Sequence, residues 1–241
     1  MVNLRNQQNL LVTGIMFPAK MAEADRIRFE AKLFLEINAN QTTPKSDLKQ
    51  EIGLLLKPYS PDSIARKVMN SINDGKGPLN GLFVKYFFDK SKLKTTTIVS
   101  YGIVPLVRIQ EHDTLFQHWT YDQKVNVAKG DDSEGLENYI KYCSKNLDLF
   151  FAAIRAVVSK EKWTVDKKAG GILNTTFTNG VISLFRRLVK LGKIGSFEYY
   201  IQILSELEKF DFNSYKSSQY NQMGEALFSI ISTKIESTKL I

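Results

Sequence analysis

Two histidines, His112 and His118, stand among acids and amides in Glu111-His-Asp113 and Gln117-His-Trp119. Such a pair could begin a metal site or a nucleophile relay. A zinc ion, however, takes three or four protein ligands, and no Gly-x-Ser-x-Gly elbow accompanies the histidines. The plainer expectation is a polar loop. Asp131, Asp132 and Glu134 suit either a divalent cation or a solvated linker with acids at a helix N-terminus, where the helix dipole favours them. The one cysteine, Cys143, falls on an apolar helical stripe and reads as a small core residue. Asp74-Gly-Lys-Gly-Pro-Leu-Asn-Gly81 could cradle a phosphate with its backbone N–H groups or simply connect two helices. Lys168–Thr176 offers the same choice between an anion site and a tight turn. The densest basic pieces, Lys85–Lys94 and Arg186–Lys193, interleave cations with apolar residues. A nucleic-acid-facing surface has that pattern, and so does an amphipathic element with a solvated cationic face. Neither a Gly-x-x-x-x-Gly-Lys-[Ser/Thr] loop nor a Gly-x-Gly-x-x-Gly turn occurs.

These groups are carried by 241 residues with 33 Lys+Arg against 25 Asp+Glu, a net charge of +8 and 43% apolar residues. That composition excludes a disordered or fibrous chain, and one cysteine excludes a disulfide framework. No apolar run approaches the roughly 20 residues of a membrane helix, so the expectation is a soluble, cytoplasmic protein without a membrane partner. The positive charge favours polyanionic partners, but it is spread along the chain rather than gathered in one tract.

The elements expected to position these residues are mostly helical. Asn9–Phe17 predicts a buried strand closed by Pro18. Met21–Ile37 predicts a helix with Ile27, Ala31 and Phe34 on one face. Helices are expected over Lys45–Leu56 and, after Ser60 and Pro61, over Pro61–Asn73 with Ile64, Val68 and Ile72 buried. Leu82–Phe88 suits a strand or a short helix. Thr95–Ile109 contains Pro105, which argues against a central strand and for a helix or a broken element. Lys124–Asp132 is polar and reads as a linker. Beyond it, Ser133–Lys160 repeats Leu136, Ile140, Cys143, Leu147, Phe150, Ile154 and Val157 at three- and four-residue steps. Thr178–Leu191, Ser196–Phe210 and Met223–Glu236 continue the pattern and predict a helical bundle. An isolated apolar strand at the start leaves backbone groups unpaired, so its partners are expected either in a central segment or before residue 1.

The most specific stretch is Leu33-Phe-Leu-Glu-Ile-Asn-Ala-Asn-Gln41-Thr-Thr-Pro-Lys-Ser-Asp-Leu48. It resembles the segment F-x-x-I-N-x-x-Q-x-x-[VP]-x-x-x-L of DGQHR-domain proteins, which include the DndB type linked to DNA phosphorothioation. Phe34, Ile37, Asn38, Gln41 and Leu48 match in register, and the resemblance extends over roughly residues 9–110. The Asp-Gly-Gln-His-Arg motif itself is absent. In the family it precedes the strand, which implies that the chain is the C-terminal portion of such a domain.

The resemblance implies a mainly α chain with a small α/β N-terminal part: a partial ParB-like domain over 1–123, followed by a helical bundle over 124–241. It implies a bacterial DNA-associated protein of a modification or phage-defence system, binding or regulatory rather than catalytic. DNA is the implied partner, along with other proteins of the same system; no cofactor is expected, with nucleotide the one candidate ligand. Asn38 and Gln41 would line one wall of the pocket, with Lys45 and Lys49 on phosphate; Phe34, Ile37 and Leu48 would be structural. Paired amides suit a base edge or a phosphate, and equally a helix end and its turn. The other class of function consistent with the long apolar stripes is a helical protein–protein interaction module without nucleic-acid binding.

Overall fold

The computed structural model describes residues 14–39, 52–53, 56–84 and 92–240. By backbone contacts the chain falls into two units, residues 1–44 and 45–241.

In the first unit, Gly14–Phe17 is neither helix nor strand, and the rest of the expected opening strand lies outside the described residues. Helix α1, Glu23–Ala39, begins with Glu23 and Asp25 in its first turn, where acids meet the positive end of the dipole. Its charges pair along the helix: Arg28 with Asp25 at 3.6 Å, Arg26 with Glu30 at 3.6 Å and Lys32 with Glu36 at 3.9 Å. The expected apolar face is not buried. Ile27 is 37% exposed, Phe29 44% and Ile37 51%, with Phe29 edge-on to Phe17.

The second unit is mainly α. Helix α2, Pro61–Asp74, starts as its sequence predicts: Ser60 Oγ accepts from Ser63 N, and Pro61 supplies the fixed φ of the first turn. Ile64, Val68 and Ile72 are buried. The Gly-rich connector after it is closed by two asparagines. Asn73 donates to Phe83 O at 3.2 Å and accepts from Phe83 N at 3.0 Å, taking the place of a neighbouring strand. Asn80 Nδ2 donates to Asn73 O and Gly75 O. Among the described residues, strand pairing amounts to one isolated parallel bridge, Phe83 with Leu93.

Ile98–Ile103 forms a π-helical turn that runs into the short helix α3, Val104–Val107. Pro105 in the first turn of α3 brings no N–H donor and crowds the preceding turn, a setting in which a widened turn relieves the clash. The broken element expected from Pro105 is therefore what forms. Gly102 is required here, because a Cβ would lie 2.7 Å from Asn179 Oδ1 and 3.1 Å from Ile182 Cδ1. Short helices α4, Leu115–His118, and α5, Lys124–Lys129, follow. The stretch expected as a linker thus folds as α5, buries Val127 and ends at Gly130 with φ +85°. Its polar look comes from Lys124, Asn126 and Lys129 around one buried valine.

Helix α6, Ser133–Val157, is capped by Asp132, whose Oδ1 accepts from Gly135 N at 2.7 Å and whose Oδ2 accepts from Tyr121 Oη. Leu136, Ile140, Cys143, Leu147, Phe150 and Ile154 are all buried, while Val157 only packs at the edge of the core. Helices α7, Thr175–Lys190, and α8, Phe197–Leu204, are capped by Asn174 and Ser196. A 3-10 turn over Ser205–Lys209 continues from α8, and α9, Tyr220–Ser237, closes the set. α7 and α9 meet through small residues: a Cβ on Gly224 would lie 2.5 Å from Ser183 Oγ, and one on Gly180 would lie 2.9 Å from Met223 Cγ. One hydrophobic cluster runs from Ile64 to Ile235, centred on Phe150, Phe185 and Tyr200.

Candidate anion-binding face

Helix α7 buries Phe185, Leu188 and Val189 completely, so its helical period turns Arg186, Arg187 and Lys190 toward the surface. These cations belong to the basic piece Arg186–Lys193 noted in the sequence. They meet Arg108, which ends α3, through a tight loop over residues 108–114. Thr114 Oγ1 donates to Arg108 O at 3.0 Å and Glu111 O at 3.1 Å, while Asp113 N donates to Gln117 Oε1. Gln110 and Asp113 both take positive φ, +67° and +66°. That conformation is uncommon outside glycine and is held only where surrounding bonds enforce it.

Three of the four cations have carboxylates. Arg108 Nη1 reaches Glu111 at 3.1 Å, Arg187 Nη2 reaches Glu225 at 3.2 Å, and Lys190 Nζ reaches Asp113 at 3.0 Å. Arg186 is half-buried and meets no acceptor among the described residues. Burial first, then the positive charges of Arg108 and Arg187, push its pKa down from the usual guanidinium range, with Tyr220 acting in the opposite sense. It remains charged, as an arginine in a protein does. Arg187 Nε is buried and also lacks an acceptor. Beside these donors Tyr101, 58% exposed, stacks on Tyr220 with ring centroids 6.3 Å apart and planes at 28°.

An unfilled guanidinium fork flanked by like charge, as at Arg186, is what a phosphate or carboxylate neutralises, because the planar fork matches two oxygens at once. Tyr101, exposed and backed by the half-buried Tyr220, adds a surface on which a base can stack.

The other groups picked out by residue type lie elsewhere. Asn38 is in the last turn of α1, while Gln41, Lys45, Leu48 and Lys49 fall outside the described residues. Ile37 is exposed on α1, as is Phe34, which has a contact of its own. Residues 85–91, most of the first basic piece, are outside the description too. His112 is exposed on the 108–114 loop, and His118 Nε2 is buried without a partner. Among the described residues no three His, Cys, Asp or Glu side chains converge on a metal position. Asp132 is engaged as a helix cap. Cys143 is fully buried, and burial pushes its thiol well above the usual range, away from the thiolate that a nucleophile needs.

Arg186, Arg187 and Lys190 were therefore visible in the sequence as a basic run, whereas Arg108, Tyr101 and Tyr220 were not. They are separated from α7 in the chain and carry no shared spacing; only the packing of the π-helical turn and α9 against α7, with the 108–114 loop beside it, assembles them. No family model, curated protein or solved structure matches this chain.

Proposed function

We propose that the chain is a DNA-associated binding or regulatory protein, of the DGQHR type that residues 34–48 resemble. On this reading it combines a partial ParB-like domain, with its small α/β N-terminal part, and a helical bundle, and acts in a bacterial cytoplasmic DNA-modification or phage-defence system. The observation that carries the DNA contact is Arg186, a half-buried guanidinium without an acceptor among the described residues and within reach of the positive charges of Arg108 and Arg187. The net charge of +8 supports it, since phosphate contacts release counterions. Asn38, Gln41, Lys45 and Lys49 are the further contacts that the resemblance contributes, and nucleotide is the small ligand it suggests. Fluorescence polarisation of a short labelled duplex at low salt tests this. Arg186→Ala is expected to weaken binding about tenfold, roughly 1.4 kcal/mol. An unchanged affinity, or no binding by the native chain, rejects the reading.

A second reading is a helical protein–protein interaction module, which the exposed Ile27, Phe29 and Ile37 of α1 favour. Single apolar residues on a surface are ordinary, but Ile27 and Ile37 lie within about a quarter-turn of one another on α1, and that placement suits a contact face. It predicts a co-purifying protein whose capture is lost in Ile37→Asp and untouched by Arg186→Ala.

A further inference from the structure

A second basic site lies along α6. Lys141, Ser144, Lys145, Asp148, Leu149, Ala152 and Arg155 recur at three- and four-residue steps and form one wall of a groove of about 670 Å³. The Gly75–Pro78 loop with Ser71 forms the facing wall, and Phe197 of α8 joins the lining. The loop is held from several sides: Asn80 binds its start, and Trp163 Nε1 donates to Pro78 O at 3.3 Å.

The cations of this groove differ from those on α7. Lys76, Lys141, Lys145 and Arg155 make no ion pair among the described residues, although a carboxylate, Asp148, sits in the same groove. Asp148 is turned away from them onto glycine backbone. A Cβ on Gly77 would lie 2.6 Å from Asp148 Cγ, and one on Gly75 would lie 3.8 Å from Oδ2. Oδ1 is buried there and accepts no hydrogen bond. Burial alone pushes this carboxyl up to about 6. The charged groups lining the groove around it are Lys76 from the loop and Lys141, Lys145 and Arg155 from its own helix; Ser71 and Phe197 contribute none.

We propose that this groove binds a phosphate-bearing small molecule, with its phosphates between Lys76, Lys141, Lys145 and Arg155 and its organic part against Leu149 and Phe197. Four unpaired cations across a gap of this size call for a ligand with several negative charges, and phosphates supply them compactly. The apolar wall gives an attached organic group somewhere to rest. Asp148 opposes the ligand while ionised and stops doing so when it takes a proton. The site is separate from the Arg186 face and stands or falls independently of it.

Calorimetric titration with inorganic pyrophosphate tests the charge requirement. One site per chain is expected, weakened about tenfold in the Lys141→Ala/Lys145→Ala double variant and unchanged in Arg186→Ala. Asp148→Asn is expected to tighten binding several-fold at neutral pH, with the gap to the native protein closing as pH falls below about 6. Comparing the two proteins at each pH cancels the titration of the probe itself. No saturable binding at millimolar pyrophosphate overturns the proposal, as does binding that ignores the double variant. A short duplex that displaces pyrophosphate from the groove also overturns it, by making the groove part of a nucleic-acid surface. All these changes are at surface or half-exposed positions, and melting curves establish that each variant is folded.

Discussion

Helices α1 and α7 carry similar raw material, apolar residues at helical spacing interrupted by cations, yet they deploy it in opposite ways. α1 pairs its charges within itself, Arg26 with Glu30 and Lys32 with Glu36, and leaves Ile27, Phe29 and Ile37 exposed. α7 buries Phe185, Leu188 and Val189 and sends its charges outward to other elements, Lys190 to Asp113 and Arg187 to Glu225. Local pairs contribute only tenths of a kcal/mol and fix nothing beyond the helix. Long-range pairs contribute little more in energy, but they join charges of α7 to α9, which packing already holds against it, and to the 108–114 loop. Charge becomes placed when it is tied across elements, and the α7 cation left over, Arg186, then stands without a partner among the described residues.

The largest expected difference between the two helices is in stability. Phe185 stacks on Phe150 at 4.8 Å and meets Tyr200 edge-on, so Phe185→Ala should cost about 3–5 kcal/mol in denaturant unfolding. Ile37→Ala on α1 should cost less than about 0.5 kcal/mol. Equal losses would erase the contrast. Gly102→Ala comes next: its Cβ meets Asn179 Oδ1 and Ile182 on α7, and overpacking of this kind costs about 1–3 kcal/mol. A smaller effect is expected where α6 begins. Asp132→Ala removes the acceptor of Gly135 N and should cost about 1 kcal/mol, while Asp132→Asn should restore most of it.

A pH effect sharpens the picture for α6. Burial raises Asp148 to about 6, so the folded state holds this proton more tightly than the unfolded chain does. Its ionised form therefore works against folding above about pH 6, and that penalty fades as pH falls toward the unfolded value near 4. Asp148→Asn should raise the melting temperature at neutral pH and change it little at about pH 4. A lower melting temperature at neutral pH would mean that the carboxylate is held by a partner.

Much of this was legible in the residues because local chemistry decides it. Ser60 and Pro61 open the helix that their residue types predict, and the stripe from Leu136 to Ile154 is buried as its spacing demands. Pro105 broke its segment as expected. Two things were not legible. The burial of α1's apolar face depends on whether another surface covers it, and periodicity is silent on that. The segment Lys124–Lys129 looked like a linker because five of its six positions can face water, while one buried valine suffices to dock it. The candidate anion-binding face had the same character: Arg186 and Arg187 were conspicuous, but the missing acceptor of Arg186 among the described residues is a fact about its neighbours, and Arg108, Tyr101 and Tyr220 become neighbours only after folding. The Asn38–Gln41 pair was singled out by resemblance alone, and its side chains lie outside the described residues.

The salt dependence of duplex binding tests most directly the proposal that Arg186 meets a phosphate of DNA. Affinity should fall steeply with salt for the native protein, and the log–log slope should be shallower by about 0.9 in Arg186→Ala, the loss of one phosphate contact. Identical slopes in the two proteins would contradict it.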